Sequence, residues 1–105
     1  MVAHMRTTYP IPIPREAIAE FCRRNHIRKL SLFGSILRDD FGPDSDVDVL
    51  VEFEEGQTPG LEFFGMGAEL ADILGRPVDF NTPGFVSPRF RTRVVAEAEP
   101  LFVAA

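Results

Sequence analysis

The stretch KLSLFGSILRDDFGPDSDVDVLVEF, residues 29–53, decides the fold of this chain. It opens with a short apolar run that ends at Gly34, and it closes with alternating apolar and polar residues at 46–53. Alternation of this kind is typical of a half-buried strand, and the Gly, Pro and Asp residues at 40–45 are typical of a turn. We therefore predict two strands, joined by a short helix or turn that begins at Ser35.

Before this stretch, apolar residues recur at helical spacing. A first helix is predicted to begin near Pro14, because proline suits the first helical turn, and to end near Asn25. The face of this helix that meets the core is predicted to contain Ala17, Ile18, Phe21 and Cys22. Residues 1–13 are predicted to be an extended, poorly ordered lead-in, and residues 14–105 are predicted to form a single domain.

After this stretch, a second helix follows a loop at 54–60. Gly75 and Pro77 end this helix by the usual C-terminal signals. Its expected inner face consists of Phe63, Phe64, Gly67, Leu70, Ala71 and Leu74.

The last third of the chain predicts a strand, a helix and a strand. The first strand lies at 77–80, the helix begins at Ser87 with an inner face of Phe90, Val94 and Ala98, and an edge strand lies at 101–103. The predicted fold class is α/β (α+β), with a small mixed β-sheet and helices packed mainly on one face.

Composition limits the classes of function. The 105 residues suit one domain, and the net charge of −5 argues against direct binding to a nucleic-acid backbone. The basic residues Arg89, Arg91 and Arg93 are interpreted as a solvated helix face, with a phosphate or partner contact as the alternative. No secretion signal and no apolar stretch long enough for a bilayer is visible, which predicts a cytoplasmic protein without membrane contact. The isolated residues His4, His26 and Cys22 are not predicted to be ligands or nucleophiles.

The dipeptide Gly34-Ser35 lies where a strand ends and a helix or turn begins. Backbone N–H groups at such a point bind phosphate, and glycine permits a close approach because it has no Cβ. The hydroxyl of Ser35 can add a donor. A tight turn without a ligand explains the same dipeptide, so this signal is weak by itself.

Three aspartates are candidate metal ligands. Asp46 and Asp48 are two apart in a strand and so share a face, where hard cations such as Mg²⁺ would offset the repulsion between two carboxylates. Asp79 can face the same site if its strand lies beside theirs. The alternatives are a solvated strand end for Asp46 and Asp48, and an edge aspartate facing water for Asp79. Three carboxylates beside a phosphate-binding turn favour two-metal phosphoryl or nucleotidyl transfer.

The combined pattern resembles a known superfamily. Gly34-Ser35, ten intervening residues and Asp46-Val47-Asp48 are similar to the signature of the DNA-polymerase-β-like nucleotidyltransferases. The segments 32–51 and 74–79 resemble the minimal nucleotidyltransferase (MNT) branch, and the resemblance covers residues 28–103. It implies a polymerase-β-like palm fold.

The resemblance also implies roles for individual residues. Gly34 and Ser35 would hold the triphosphate of ATP, Asp46 and Asp48 would bind two Mg²⁺ ions, and Asp79 would complete the metal site on the acceptor side. Two further positions stand close to the Gly-Ser pair. Arg38 matches an arginine that could steady a phosphate, although a surface pairing with Asp39 or Asp40 explains it equally well. Asp39 replaces a glycine that is usual in the family, and an acidic side chain there could weaken nucleotide binding.

The resemblance further implies a partner. Minimal domains of this kind resemble the antitoxin of HEPN/MNT toxin–antitoxin pairs, in which the transferase adenylylates a HEPN ribonuclease toxin in a hetero-complex. The first hypothesis is therefore an antitoxin that transfers AMP from ATP to a hydroxyl of a HEPN toxin. The alternatives are a catalytically weak module that neutralises a toxin by complex formation, or a transferase that acts on a small molecule.

Overall fold

The computed structural model describes residues 9–105. Along the chain, the helices and strands are α1 Arg15–Arg24, β1 Ile27–Phe33, β2 Val47–Phe53, α2 Phe63–Leu74, β3 Val78–Asn81, α3 Pro88–Glu97 and β4 Glu99–Val103. Two single turns of 3-10 helix, at Gly34–Leu37 and Pro83–Phe85, precede β2 and α3. This order is the predicted one, with one additional 3-10 turn.

The four strands form one mixed sheet in the order β3-β2-β1-β4. β1 is antiparallel to β2 and to β4, whereas β2 and β3 are parallel. A parallel pair needs a crossover connection, and α2 supplies it. The predicted mixed sheet and the edge position of the last strand are confirmed. The crossover matters for function because it brings β3, with Asp79, directly beside β2.

The core lies between the sheet and the first two helices. From α1 it receives Ile18, Phe21 and Cys22, all at most 1% exposed. Ala17 was expected on this face but is exposed. One residue corresponds to about 100° around a helix, so Ala17 is turned away from the line that Ile18 and Cys22 define. Asn25 ends the helix as predicted, and its side-chain amide donates to the Phe21 carbonyl oxygen at 2.9 Å.

In α2 the inward line differs from the expected one. Met66, Leu70 and Leu74 are buried at a spacing of four residues, whereas Phe64 is 76% exposed. The prediction for Phe64 was wrong. Phe64 lies two residues from Met66, which corresponds to about 200° around the helix, so it points away from the core. Gly75 ends α2 as predicted, in the left-handed conformation that glycine adopts without strain.

The last helix packs only loosely. α3 has no buried residue, and its inward side is marked by the half-buried Arg91 and Val94 and by Ala98, the residue that caps its C-terminus. Phe90, expected on this line, is 50% exposed. It lies one position from Arg91, at the edge of the contact, so the prediction that it belongs to the core was wrong.

The end of the predicted lead-in is part of the domain. Tyr9, Ile11 and Ile13 pack against the core, and the Tyr9 hydroxyl donates to Glu99 Oε1 at 3.1 Å. The rest of the predicted lead-in, with His4, lies outside the described residues. None of the helices in residues 9–105 is long and apolar enough to cross a membrane.

Candidate active site

Two of the three predicted carboxylates are neighbours in the sheet. Asp48 on β2 is paired in register with Asp79 on β3, so both side chains leave the same face of the sheet. The two carboxyl groups are close enough for Asp79 to raise the pKa of Asp48. Asp46 lies just before β2, whose first residue, Val47, donates its N–H to the Pro77 carbonyl oxygen at 2.9 Å. The condition under which Asp79 would join the site, a strand beside β2, is therefore met.

The crowding of carboxylates changes the acidity of Asp48. Burial, followed by the negative charges of Asp79 and Asp46, raises the pKa of Asp48 from 3.8 to about 6. The hydrogen bond with Asp79 raises it further, whereas the positive charge of Arg38 lowers it. Asp48 and Asp79 side by side, with the negative charge of Asp46 acting on Asp48, are an environment that favours a cation.

Gly34 brings the turn into contact with this carboxylate pair. Its φ of +77° is a backbone conformation that residues with a Cβ rarely adopt. A Cβ at this position would overlap the Asp48 carboxylate. Phe33, the residue before it, is paired with Asp48 across β1 and β2. Glycine is therefore needed here both for the turn and for the space that Asp48 occupies.

Ser35 follows Gly34 in a 3-10 turn of only four residues. A single short turn aligns too few peptide units to create a strong helix dipole, so the dipole adds little to phosphate binding here. Backbone N–H groups of the first turn and the Ser35 hydroxyl remain as donors.

Arg38 lies at the end of this turn and interacts with two carboxylates. Its Nε lies 3.4 Å from Asp40 Oδ1, which matches the predicted surface pairing. Its positive charge also acts on Asp48. Both side chains of the Arg38–Asp40 pair are more than half exposed, so the pair is weak and leaves the guanidinium accessible to another anion. The side chain of Asp39 is exposed.

Arg76 holds the loop that leads into β2, and sequence reasoning missed this role. Its Nη2 donates to the carbonyl oxygens of Gly42 and Ser45, both at 2.7 Å, and lies 3.3 Å from that of Pro43. Its guanidinium also stacks on the Phe41 ring, 4.6 Å from the centroid. The contacts span more than 30 residues of sequence. Arg76 therefore fixes the backbone just before Asp46.

Replacing Arg76 with Met is expected to lower the free energy of unfolding by about 2 kcal/mol, because charge-assisted hydrogen bonds to backbone carbonyls are lost while the aliphatic stem is kept. Urea denaturation measures this change. Arg24→Met is the matched control, since it removes an exposed ion pair with Glu69. An equal loss in both variants would contradict the assignment of Arg76 as the residue that holds this loop.

The carboxylates fit a hydrated cation shared with a substrate. Within residues 9–105, no three His, Cys, Asp or Glu side chains form a complete metal-binding cluster. Mg²⁺ is usually bound by one or two carboxylates, with water and substrate phosphates as the other ligands. Asp46, Asp48 and Asp79 would hold such a cation only together with a phosphate-bearing substrate.

The raised pKa of Asp48 predicts how the stability of the metal-free protein varies with pH. In the folded chain Asp48 binds its proton more tightly than in the unfolded chain, so stability is lost as pH rises from about 4 to about 6. Asp48→Asn removes this loss. In a chelator, the variant is expected to exceed the wild type in melting temperature by more at about pH 7.5 than at about pH 4.5. A pH-independent difference would contradict the prediction.

The remaining predicted residues divide among different places. Arg91 is not a solvated residue, because it donates to the carbonyl oxygens of Pro83 at 2.7 Å and Val86 at 3.1 Å. Arg89 stacks on Phe90, and Arg93 faces the Gly34 turn.

Cys22 and His26 lie in other parts of the fold. Burial raises the pKa of the Cys22 thiol to about 12, which excludes a reactive thiolate. The His26 Nδ1 lies 3.8 Å from Glu54 Oε1, at the end of β2 away from Asp48.

Paired carboxylates against a glycine turn on a mixed sheet are an arrangement that suits phosphoryl or nucleotidyl transfer. The sequence model of the family described as nucleotidyltransferase domain matches residues 15–100. The chain belongs to this family, and the predicted enzyme class, nucleotidyltransferase, is confirmed. It is 35% identical over 75 residues to a candidate protein adenylyltransferase of Methanocaldococcus jannaschii, across 71% of this chain and 80% of that protein.

Solved structures agree with the predicted fold class. A candidate minimal nucleotidyltransferase superposes with a TM-score of 0.68 at 38% identity, over 82% of this chain and 87% of that one. A toxin–antitoxin with AMP-PNP gives 0.70 at 21% identity, over 88% and 75%. The tri-AMPylated Shewanella oneidensis HEPN toxin in complex with MNT antitoxin gives 0.62 at 22% identity, over 86% and 70%. The last two likenesses concern the fold alone.

Proposed function

We propose that this chain transfers AMP from ATP to a hydroxyl group of a partner protein, and that it requires Mg²⁺. The observation that carries the proposal is the Asp48–Asp79 pair packed against the Gly34 turn. The choice of ATP rests on two relatives. One is named for adenylyl transfer, and a structural neighbour holds AMP-PNP.

In this reaction the acceptor oxygen attacks the α-phosphorus, and pyrophosphate leaves with the electrons of the broken P–O bond. Gly34 and Ser35 would bind the triphosphate. Asp46 and Asp48 would hold two Mg²⁺ ions, and Asp79 would complete the metal site on the side of the acceptor hydroxyl. Bound cations would neutralise the triphosphate and lower the pKa of the acceptor hydroxyl.

Arg38 and Asp79 would act on opposite sides of this reaction. The accessible guanidinium of Arg38 would steady a phosphate, since its only described ion pair is exposed. Asp79 would lie beside the acceptor hydroxyl and favour the loss of its proton. Asp39 would oppose the phosphates only weakly, because its exposed side chain is screened by solvent.

The proposed partner is a HEPN-type toxin, and the proposed role is that of a cytoplasmic antitoxin. Residues 9–105 form one sheet with three helices and contain no second unit that could present an acceptor. The proposal places the acceptor hydroxyl of this partner beside Asp79. The structurally similar toxin–antitoxin complexes support this arrangement.

A second candidate function is neutralisation by binding alone. It is favoured by a cluster of exposed apolar side chains: Leu61, Phe64 and Phe85 are 85%, 76% and 67% exposed. Phe64 and Phe85 line a cavity of about 180 Å³ with Phe53 and Phe63. Exposed apolar clusters of this kind mark surfaces that bind other proteins.

The test uses the purified chain, Mg²⁺, α-labelled ATP and the protein encoded by the neighbouring gene. We expect a mass increase of one or more AMP groups on that protein and release of pyrophosphate. A stable complex without any label, with ATP and with the other three nucleotides, would overturn the transferase proposal and support binding alone. If the label appears on a small molecule and not on the protein, the acceptor is a small molecule and the proposed protein acceptor is wrong.

A further inference from the structure

Two adjoining cavities lie beside the Gly34 turn. They have volumes of about 300 and 330 Å³, and both are lined by Gly34, Arg38, Arg93 and Glu97. Phe90 and Val94 complete the first cavity. Volumes of this size are at the lower end of those that accept small ligands. The loosely packed α3 thus forms one wall of a cleft whose opposite wall is the proposed phosphate turn.

We propose that this cleft is the nucleotide subsite, in which Arg93 binds the triphosphate and the Phe90 ring stacks on the nucleobase. The inference rests on the proposed function, because it assumes that the substrate is a nucleoside triphosphate. It assigns a role to two residues that were predicted to be solvated or part of the core.

Charge supports the assignment of Arg93. A triphosphate is strongly anionic, whereas the chain carries a net charge of −5, so binding requires local cations. Among the described residues that line the two cavities, the arginines are Arg38 and Arg93, which approach from opposite walls. An arginine fork matches the geometry of phosphate oxygens.

The present partner of Arg93 can be exchanged. Arg93 Nε lies 3.2 Å from Glu97 Oε1, and the side chains are 76% and 56% exposed. An exposed pair one helical turn apart is worth little, so a phosphate can replace or share the contact. The contact with Glu97 is made by Nε, and within residues 9–105 no side-chain hydrogen bond holds the terminal nitrogens of Arg93.

The exposure of Phe90 supports its assignment. The ring is 50% exposed although it lines a cavity, so part of its apolar surface is open to a ligand, while the Arg89 guanidinium lies 5.7 Å from its centroid. Aromatic rings in this state are platforms for nucleobases, because every base has a flat π-face. Phe90 and Arg93 are three residues apart in α3 and thus point to the same side of the helix.

The experiment measures binding by calorimetry with two probes, ATP with Mg²⁺ and inorganic tripolyphosphate with Mg²⁺. Arg93→Met is expected to weaken the binding of both probes about 20-fold, because charge-assisted hydrogen bonds are lost. Phe90→Ala is expected to weaken ATP about 10-fold and to leave tripolyphosphate unchanged, because only ATP carries a base. Arg24→Met removes an exposed arginine that lines neither cavity, and it is expected to change neither affinity.

The outcomes separate the inference from the proposed function. If the wild type binds ATP and Arg93→Met binds both probes as tightly as the wild type does, the proposed subsite is wrong while the proposed function stands. Equal loss of both probes in Phe90→Ala would overturn the stacking assignment. A wild type that binds neither probe would overturn both proposals. Melting temperatures of all variants within a few degrees of the wild type would exclude unfolding as the cause of lost binding.

Discussion

Asp48→Asn is expected to lower the rate of AMP transfer by about 10³-fold, which corresponds to about 4 kcal/mol of transition-state stabilisation. The substitution keeps the size of the side chain but removes the charge at the centre of the carboxylate group. Asp48 contacts Asp79 and the Gly34 turn at once, so no neighbouring carboxylate can take its place. Transfer is measured as labelled AMP on the partner.

The same variant should keep its fold and its partner. Removal of a carboxylate with a raised pKa relieves repulsion, so the metal-free variant is expected to be at least as stable as the wild type. Complex formation, followed by gel filtration, should be unchanged. The matched control is Asp44→Asn, an exposed aspartate of the preceding loop, which is expected to transfer AMP at the wild-type rate.

Two results would change the interpretation. If Asp48→Asn neutralises the toxin as well as the wild type does, the protein acts by binding, whatever transfer it performs in vitro. If neutralisation is lost together with the complex, Asp48 is needed for docking rather than chemistry. Only loss of transfer with retention of the complex supports the proposed antitoxin mechanism.

The fold could be predicted because most elements have local causes. The alternation at 46–53 and the apolar spacing in α1 are visible in short windows of sequence. The errors concern which apolar residues face the core. Phe64 and Phe90 are apolar enough for the core, but helix rotation is set by packing against the sheet. Sequence periodicity alone does not distinguish a core phenylalanine from one that lines a surface cavity.

The site could be predicted only in part. The Gly-Ser pair and the aspartates Asp46 and Asp48 are visible as a spaced motif, but the register that pairs Asp48 with Asp79 is set by the crossover through α2. Arg76 was missed because its carbonyl partners lie more than 30 residues earlier. An arginine between a helix-ending glycine and a proline was the available signal. Long-range contacts of this kind leave no periodic trace in the sequence.

Gly34→Ala is expected to lower the free energy of unfolding by about 3 kcal/mol and the transfer rate by about 10²-fold or more. Part of the loss is backbone strain, because φ at this position is +77°. The rest is displacement of Asp48, whose carboxylate occupies the space of the new methyl group. Urea denaturation and AMP labelling measure the two effects.

The structure offers a control that separates the two causes. Gly56 has nearly the same backbone conformation, with φ of +76°, but a Cβ there would meet nothing within 4 Å. Gly56→Ala should therefore show the strain alone, about 1 kcal/mol, with normal transfer. Equal destabilisation in both variants, with transfer intact in both, would mean that Asp48 moves aside without consequence. The Gly34 turn would then be a structural bend, and the carboxylate pair would have to act without it.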